Sequence, residues 1–179
     1  FEQSFRRAGR VADALAVMKR VIPKGDEIFL IGYSEGAYLA PQIAARDKRV
    51  VNVVIIGGGT RGWLREERAN ARGARVKREM RAKIREIGRR PYSVERWNMF
   101  SFATWWSYRE DATLAALRKL RVPVLAILGA KDHTIDFKTT VRDLRRLKNV
   151  RLRVLRECGH EFTRNWVQVK KILAEEFGS

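Results

Sequence analysis

Four short strand-like runs punctuate this chain: Ile28 to Ile31, Val50 to Ile56, Val122 to Leu128 and Val150 to Leu155. Each is followed within a few residues by a glycine, and amphipathic stretches lie between them. Arg6 to Ile22 carries Val11, Leu15, Met18 and Ile22 at spacings that place them on one helical face. Pro23-Lys24-Gly25-Asp26 then stops the helix and turns the chain. Ile28 to Ile31 is wholly apolar, as expected of a strand buried on both faces of a parallel sheet. Further helices are expected over Glu35 to Arg46, Ala112 to Leu120 and Phe137 to Leu147. The last begins at Phe162 or Thr163 and runs to Phe177, with Trp166, Val169, Ile172 and Leu173 on its stripe. Between Thr60 and about Ala112 no strand is predicted. Polar helices over Trp63 to Arg72 and Ala74 to Ile87 precede an aromatic segment containing Trp97, Phe100, Phe102, Trp105, Trp106 and Tyr108.

The alternation of helix and strand, joined by right-handed crossovers, predicts an α/β fold: a mostly parallel sheet with helices on both faces. One domain over residues 1–179 is expected, with residues 60–112 as a helical lid or cap inserted into it. Ser34, Gly57, Asp132 and His160 all follow strands, so they share the carboxyl edge, where open sheets of this type bind ligands.

Composition narrows the function classes. With 179 residues and 45% apolar content the chain has enough material for one substantial core, and no apolar run reaches membrane-spanning length. No stretch shows the zones of a secretion signal, and a start at Phe1 instead of a methionine is compatible with removal of a leader. The single Cys158 forms no internal disulfide, in keeping with a reducing, cytoplasmic compartment. Two histidines and one cysteine, scattered, make no metal site, and no cofactor motif is present. The net charge of +18 is expected to attract anions and nucleic acid non-specifically. Arg61 to Arg96 supplies +8 of it, from 13 basic and 5 acidic residues, read as a solvated helical surface because no nucleic-acid motif accompanies it.

The candidate chemistry centres on Gly32-Tyr33-Ser34-Glu35-Gly36, directly behind the first strand and ahead of a helix. A strand, a tight turn and a helix lift one hydroxyl above the sheet edge, and the flanking glycines leave it room. Acyl transfer needs that nucleophile, a base, and an anion to orient the base. His160 is the expected base, because His133, the other histidine, adjoins Asp132 instead of lying on an independent loop. Asp132 is favoured as the anion because it follows its strand more closely than Asp136, which is also suited to capping the helix at Phe137.

Taken together, the elbow at Ser34, the acid turn Gly129 to Asp132 and the terminal Gly159-His160-Glu161-Phe162 resemble the α/β-hydrolase superfamily in order and spacing. The similarity is to its branch of small serine esterases, thioesterases and peptidases. It covers nearly the whole chain and corresponds to the later two-thirds of the family fold. The resemblance implies Ser34 as nucleophile, Asp132 as acid, His160 as base and the backbone N–H of Glu35 as one oxyanion donor, with the Glu35 side chain pointing outward. It also implies an acyl substrate. Tyr33 either flanks the pocket or packs beneath the turn. Trp97, Phe100, Trp105 and Trp106 either line an apolar acyl or aryl site or form the lid's own core. Cys158 reads as a small buried filler.

The family builds strands before the nucleophile strand, and here only a helix precedes it, so an N-terminally incomplete fold is expected. The strand at Ile28 to Ile31 is then an exposed edge, to be covered by an N-terminal portion, a second chain or a symmetric homodimer. The second oxyanion donor has no candidate in the sequence. Two further functions stay open at this point: acyl transfer to an acceptor other than water, and a non-catalytic binding or scaffold protein contacting anionic partners through its basic surface.

Overall fold

The structure, a computed structural model, describes residues 6–178. In chain order its elements are α1 (Arg7–Val21), β1 (Ile28–Tyr33), α2 (Glu35–Ala44), β2 (Val50–Ile56), α3 (Trp63–Asn70) and α4 (Ala74–Arg89). There follow β3 (Arg96–Trp97), β4 (Phe100–Ser101), α5 (Phe102–Ser107), α6 (Ala112–Lys119), β5 (Val124–Gly129), α7 (Phe137–Arg145), β6 (Val150–Leu155) and α8 (Trp166–Phe177). The main sheet has the order β1-β2-β5-β6 and every pairing in it is parallel.

Alternation along the two central strands sorts their side chains into two cores. Val53, Ile55, Val124, Ala126 and Leu128 join the larger core, with Ala37, Leu39 and Ile43 of α2 and Leu144 of α7. Val54, Ile56, Leu125 and Ile127 face the other way, against Cys158, Phe162 and Val169 of α8. Both faces of β2 and β5 are therefore covered, which explains why neither strand carries a regular polar alternation.

β1 departs from its expected double burial. Ile28 is buried, but Phe29 is 55% and Ile31 56% exposed. The cause is topological: β1 lies at the sheet edge, beyond the reach of most of α8, and only Phe177 meets Phe29, edge-on at 5.7 Å. Among the described residues no strand pairs with its outer side.

The segment 60–112 is helical apart from a hairpin of two-residue strands, β3 and β4, which no periodicity announces. Ser101 closes that hairpin and caps α5, its hydroxyl accepting from Thr104 N–H at 3.1 Å. The insertion's buried Trp63, Ile87, Phe102, Trp105 and Tyr108 pack together, with Trp63 stacked on Tyr108 at 3.8 Å, and are continuous with the larger core, where Trp63 meets Tyr38 of α2 edge-on. It is tied to the rest of the domain through α1, where Arg7 N–H donates to Ser107 Oγ at 3.0 Å. The final helix begins at Trp166, later than periodicity predicts. Phe162 is buried at φ 52°, a left-handed conformation that no helix continues through. No helix among the described residues is long and apolar enough to cross a membrane.

Candidate active site

β1 ends in a strained turn. Ser34 has φ 52° and ψ −115°, outside the regions that L-residues populate freely. The turn is held from both sides: Ser34 N–H donates to Ile56 O at 2.9 Å, and Ala37 N–H donates to Ser34 O at 3.0 Å. Its tightness depends on Gly32, where an added Cβ would fall on the carbonyl of Gly36. Gly32→Ala is therefore expected to lower stability by about 1–3 kcal/mol, as overpacking against rigid backbone does. Urea denaturation of the variant measures it, and an unchanged midpoint would mean the turn is looser than described.

The loops after β5 and β6 converge on that turn. Ser34 Oγ lies 2.8 Å from His160 Nε2, and His160 Nδ1 lies 2.9 Å from Asp132 Oδ2. Asp132 accepts on Oδ1 from the Thr134 N–H at 2.8 Å and the Thr134 hydroxyl at 2.7 Å. Thr134 Oγ1 also stands 2.8 Å from His160 Nδ1. A carboxylate beside Nδ1 requires the proton there, which leaves Nε2 free to accept from the serine hydroxyl. Hydrogen bonding to Asp132 raises the His160 pKa above its usual value, against an opposing effect of burial. Burial pushes Asp132 up, but the hydrogen bonds from His160 and Thr134 prevail and hold it below the usual carboxylate range. Asp136 does something else: it caps α7, accepting from Thr139 N–H at 3.2 Å.

A cavity of about 450 Å³ opens onto Ser34 and His160. Of the expected aromatic residues, Phe100 and Trp105 stand in its wall. Trp97 packs behind Trp105 at 4.7 Å and accepts its indole N–H through the backbone. Trp106 turns away, its ring under the Arg109 guanidinium at 4.6 Å. Tyr33 lies beneath the histidine loop, donating to His160 O at 3.1 Å and meeting Trp166 edge-on. These three lie outside the cavity lining, each packed against neighbours of its own. Tyr38 and Trp63 complete the aromatic wall and escaped prediction: Tyr38 lies inside a predicted helix, Trp63 opens a stretch expected to be a polar helix, and both are buried. Thr134 was also missed, although an Asp-x-Thr sequence after a strand is a turn-forming signal.

Two carboxylates behave unexpectedly. The Glu35 side chain does not point outward: it accepts from Tyr108 Oη at 2.5 Å and pairs with Arg10 at 3.2 Å, tying the elbow helix to the insertion. Glu66 is only 1% exposed and accepts from Arg61 N–H at 3.0 Å and Asp136 N–H at 2.7 Å, linking α3 to the loop that carries Asp132. Burial drives its pKa from the usual 4.5 up to about 8, against those two amides. The folded protein thus keeps a proton that the unfolded chain releases. The resulting stability is fully present below about pH 4.5 and is lost as pH rises towards about 8. Relative to Glu66→Gln, the wild type is expected to lose on the order of a few kcal/mol across that window. Parallel stability-versus-pH curves for the two proteins would contradict this.

A parallel sheet, a serine on a strained strand-to-helix turn, and a histidine and an aspartate on later strand ends together define the α/β-hydrolase class. The chain belongs to it: the sequence model of the alpha/beta hydrolase family matches residues 3–169. Among solved structures it is similar to an esterase from Exiguobacterium antarcticum, at 16% identity and a TM-score of 0.66, over 98% of this chain and 75% of the esterase. A meta-cleavage product hydrolase from Pseudomonas fluorescens is comparable, with 18% identity and a TM-score of 0.66 over 96% of this chain and 71% of that one. Alpha/beta hydrolase domain-containing protein 10 from mouse gives 14% identity and a TM-score of 0.60, over 96% and 70% respectively. At these identities the likeness is one of fold. A search of curated proteins finds no match.

Proposed function

We propose that the chain is a serine hydrolase that cleaves an ester, thioester or amide with an apolar acyl or aryl portion through an acyl-enzyme on Ser34. The observation that carries this reading is the unbroken relay from Ser34 Oγ through His160 to Asp132, with links of 2.8 and 2.9 Å, at the mouth of an aromatic-walled cavity. His160 Nε2 takes the serine proton as Oγ bonds to the substrate carbonyl carbon, and the C=O electron pair moves onto oxygen. The Glu35 amide, at the first position of α2 and so without an intrahelical partner, meets that oxyanion. The tetrahedral species collapses, and His160 passes the proton to the leaving group. It then draws a proton from the water that releases the acyl group. The insertion 60–112 acts as the lid that supplies the cavity wall. The second oxyanion donor, in this reading, comes from an N-terminal segment lying along the outer edge of β1. The single buried Cys158 fits a cytoplasmic setting.

The reading is tested by turnover of p-nitrophenyl hexanoate against p-nitrophenyl acetate. The longer acyl group is expected to be hydrolysed with the higher kcat/KM; no turnover above buffer for either would end the proposal. Because only neutral His160 serves as base, kcat/KM should rise with pH through a value above the ordinary imidazole pKa of about 6.5 and then level off. A profile that is flat from pH 6 to 8 would contradict that role.

A further inference from the structure

The cavity beside Ser34 has a charge opposite to that of the protein around it. The chain carries +18, yet among the described residues no lysine or arginine lines this cavity, and its acidic lining is four glutamates, Glu35, Glu66, Glu67 and Glu161, of which Glu66 keeps its proton up to about pH 8. Three of them have other employment or full solvation. Glu35 is held by Arg10 and Tyr108, Glu66 is buried on two backbone amides, and Glu161 is exposed at the rim. Glu67 is different. It is half-buried on the inner side of α3, among the described residues no hydrogen bond or ion pair engages its side chain, and burial alone raises its pKa. A carboxylate drawn partly out of water with no partner is costly unless a cation meets it.

The surrounding wall suits such a cation. Trp63, Phe100 and Trp105 form a continuous aromatic surface, with ring centroids 5.0 Å (Trp63–Phe100), 5.7 Å (Trp63–Trp105) and 5.8 Å (Phe100–Trp105) apart. Aromatic faces attract ammonium groups and also bury their methyl or methylene substituents. A carboxylate-, phosphate- or sulfate-bearing substrate would instead meet a like charge. The cavity's independent claim to be a ligand site is that it opens onto the Ser34–His160 pair.

We propose that this cavity selects an ester or amide bearing an alkylammonium group, paired by Glu67 and packed against Trp63, Phe100 and Trp105. The inference deepens the serine-hydrolase reading and rests on it for the fate of the bound molecule.

The test separates the two claims by measuring binding without turnover. Butyrylcholine and its uncharged isostere 3,3-dimethylbutyl butyrate are titrated into the Ser34→Ala protein, with the change in intrinsic tryptophan fluorescence, to which Trp63 and Trp105 in the cavity wall contribute, as the signal. The cation is expected to bind about tenfold more tightly, the scale of a cation held by aromatic faces and one carboxylate. Glu67→Gln should bring the two affinities within about twofold of each other, whereas Glu79→Gln, on an exposed stretch of α4, should leave the tenfold preference in place. Equal or weaker binding of the cation, or a preference that survives Glu67→Gln, would overturn the proposal. Fluorophosphonate labelling of the wild type reports separately. Labelling without cation preference removes this inference alone, and preference without labelling removes the hydrolase reading while leaving a cation-binding pocket.

Discussion

Ser34→Ala is expected to lower kcat on an apolar acyl ester by about 10⁶-fold, because removing the nucleophile of such a relay removes nearly all the benefit of its partners as well. In the proposed mechanism His160 and Asp132 act only through Ser34 Oγ, the hydroxyl 2.8 Å from Nε2. What survives is whatever the cavity and the Glu35 amide do for direct attack by water, on the order of 10³–10⁴ over the uncatalysed reaction. The substitution keeps the fold readable: alanine, like serine, carries a Cβ and tolerates the φ of 52° no worse. Initial-rate assays beside thermal unfolding separate the two effects. A variant that retains activity within about 100-fold would remove Ser34 from the chemistry.

Asp132→Asn should cost about 10⁴-fold in kcat with little change in KM. Asp132 is 2% exposed, and its Oδ2 fixes the proton on His160 Nδ1. An asparagine NH₂ at that position donates where the carboxylate accepted, so the imidazole moves its proton to Nε2 and no longer accepts from Ser34. Thr134 replaces it only weakly: its hydroxyl donates to Asp132 Oδ1 at 2.7 Å, and its oxygen, 2.8 Å from Nδ1, is a neutral acceptor without the charge that stabilises an imidazolium. A loss below about tenfold would show that Asp132 only supports the loop.

How much of this was legible in the sequence depended on what each residue's signal was made of. Ser34, Asp132 and His160 were visible because strand ends can be read from short apolar runs, and parallel strands bring their carboxyl ends to one edge. Asp132 and Asp136 share that edge and differ only in what they reach. The backbone turn that sends Asp136 onto Thr139 N–H is not written in periodicity. The same limit applied to β1. Its run is as apolar as those of β2 and β5, but edge position is a property of topology, and Phe29 and Ile31 are exposed for that reason. Aromatic content foretold an apolar wall without saying which rings form it. Trp97 packs behind Trp105, Trp106 lies under Arg109 and Tyr33 braces the histidine loop, while Trp63 and Tyr38, within predicted helices, stand in the cavity. The inward turn of Glu66 and Glu35 was illegible because each depends on donors distant in sequence, Asp136 N–H and Tyr108 Oη.

The central claim is that Ser34 is a hydroxyl activated by His160 and held by Asp132. It is tested most directly by reacting the protein with an alkyl fluorophosphonate and mapping the adduct by peptide mass spectrometry. One phosphonyl group per chain on Ser34 is expected, with labelling lost in Ser34→Ala and slowed in Asp132→Asn. A folded wild-type protein that stays unlabelled, or carries the adduct on another residue, would contradict the account.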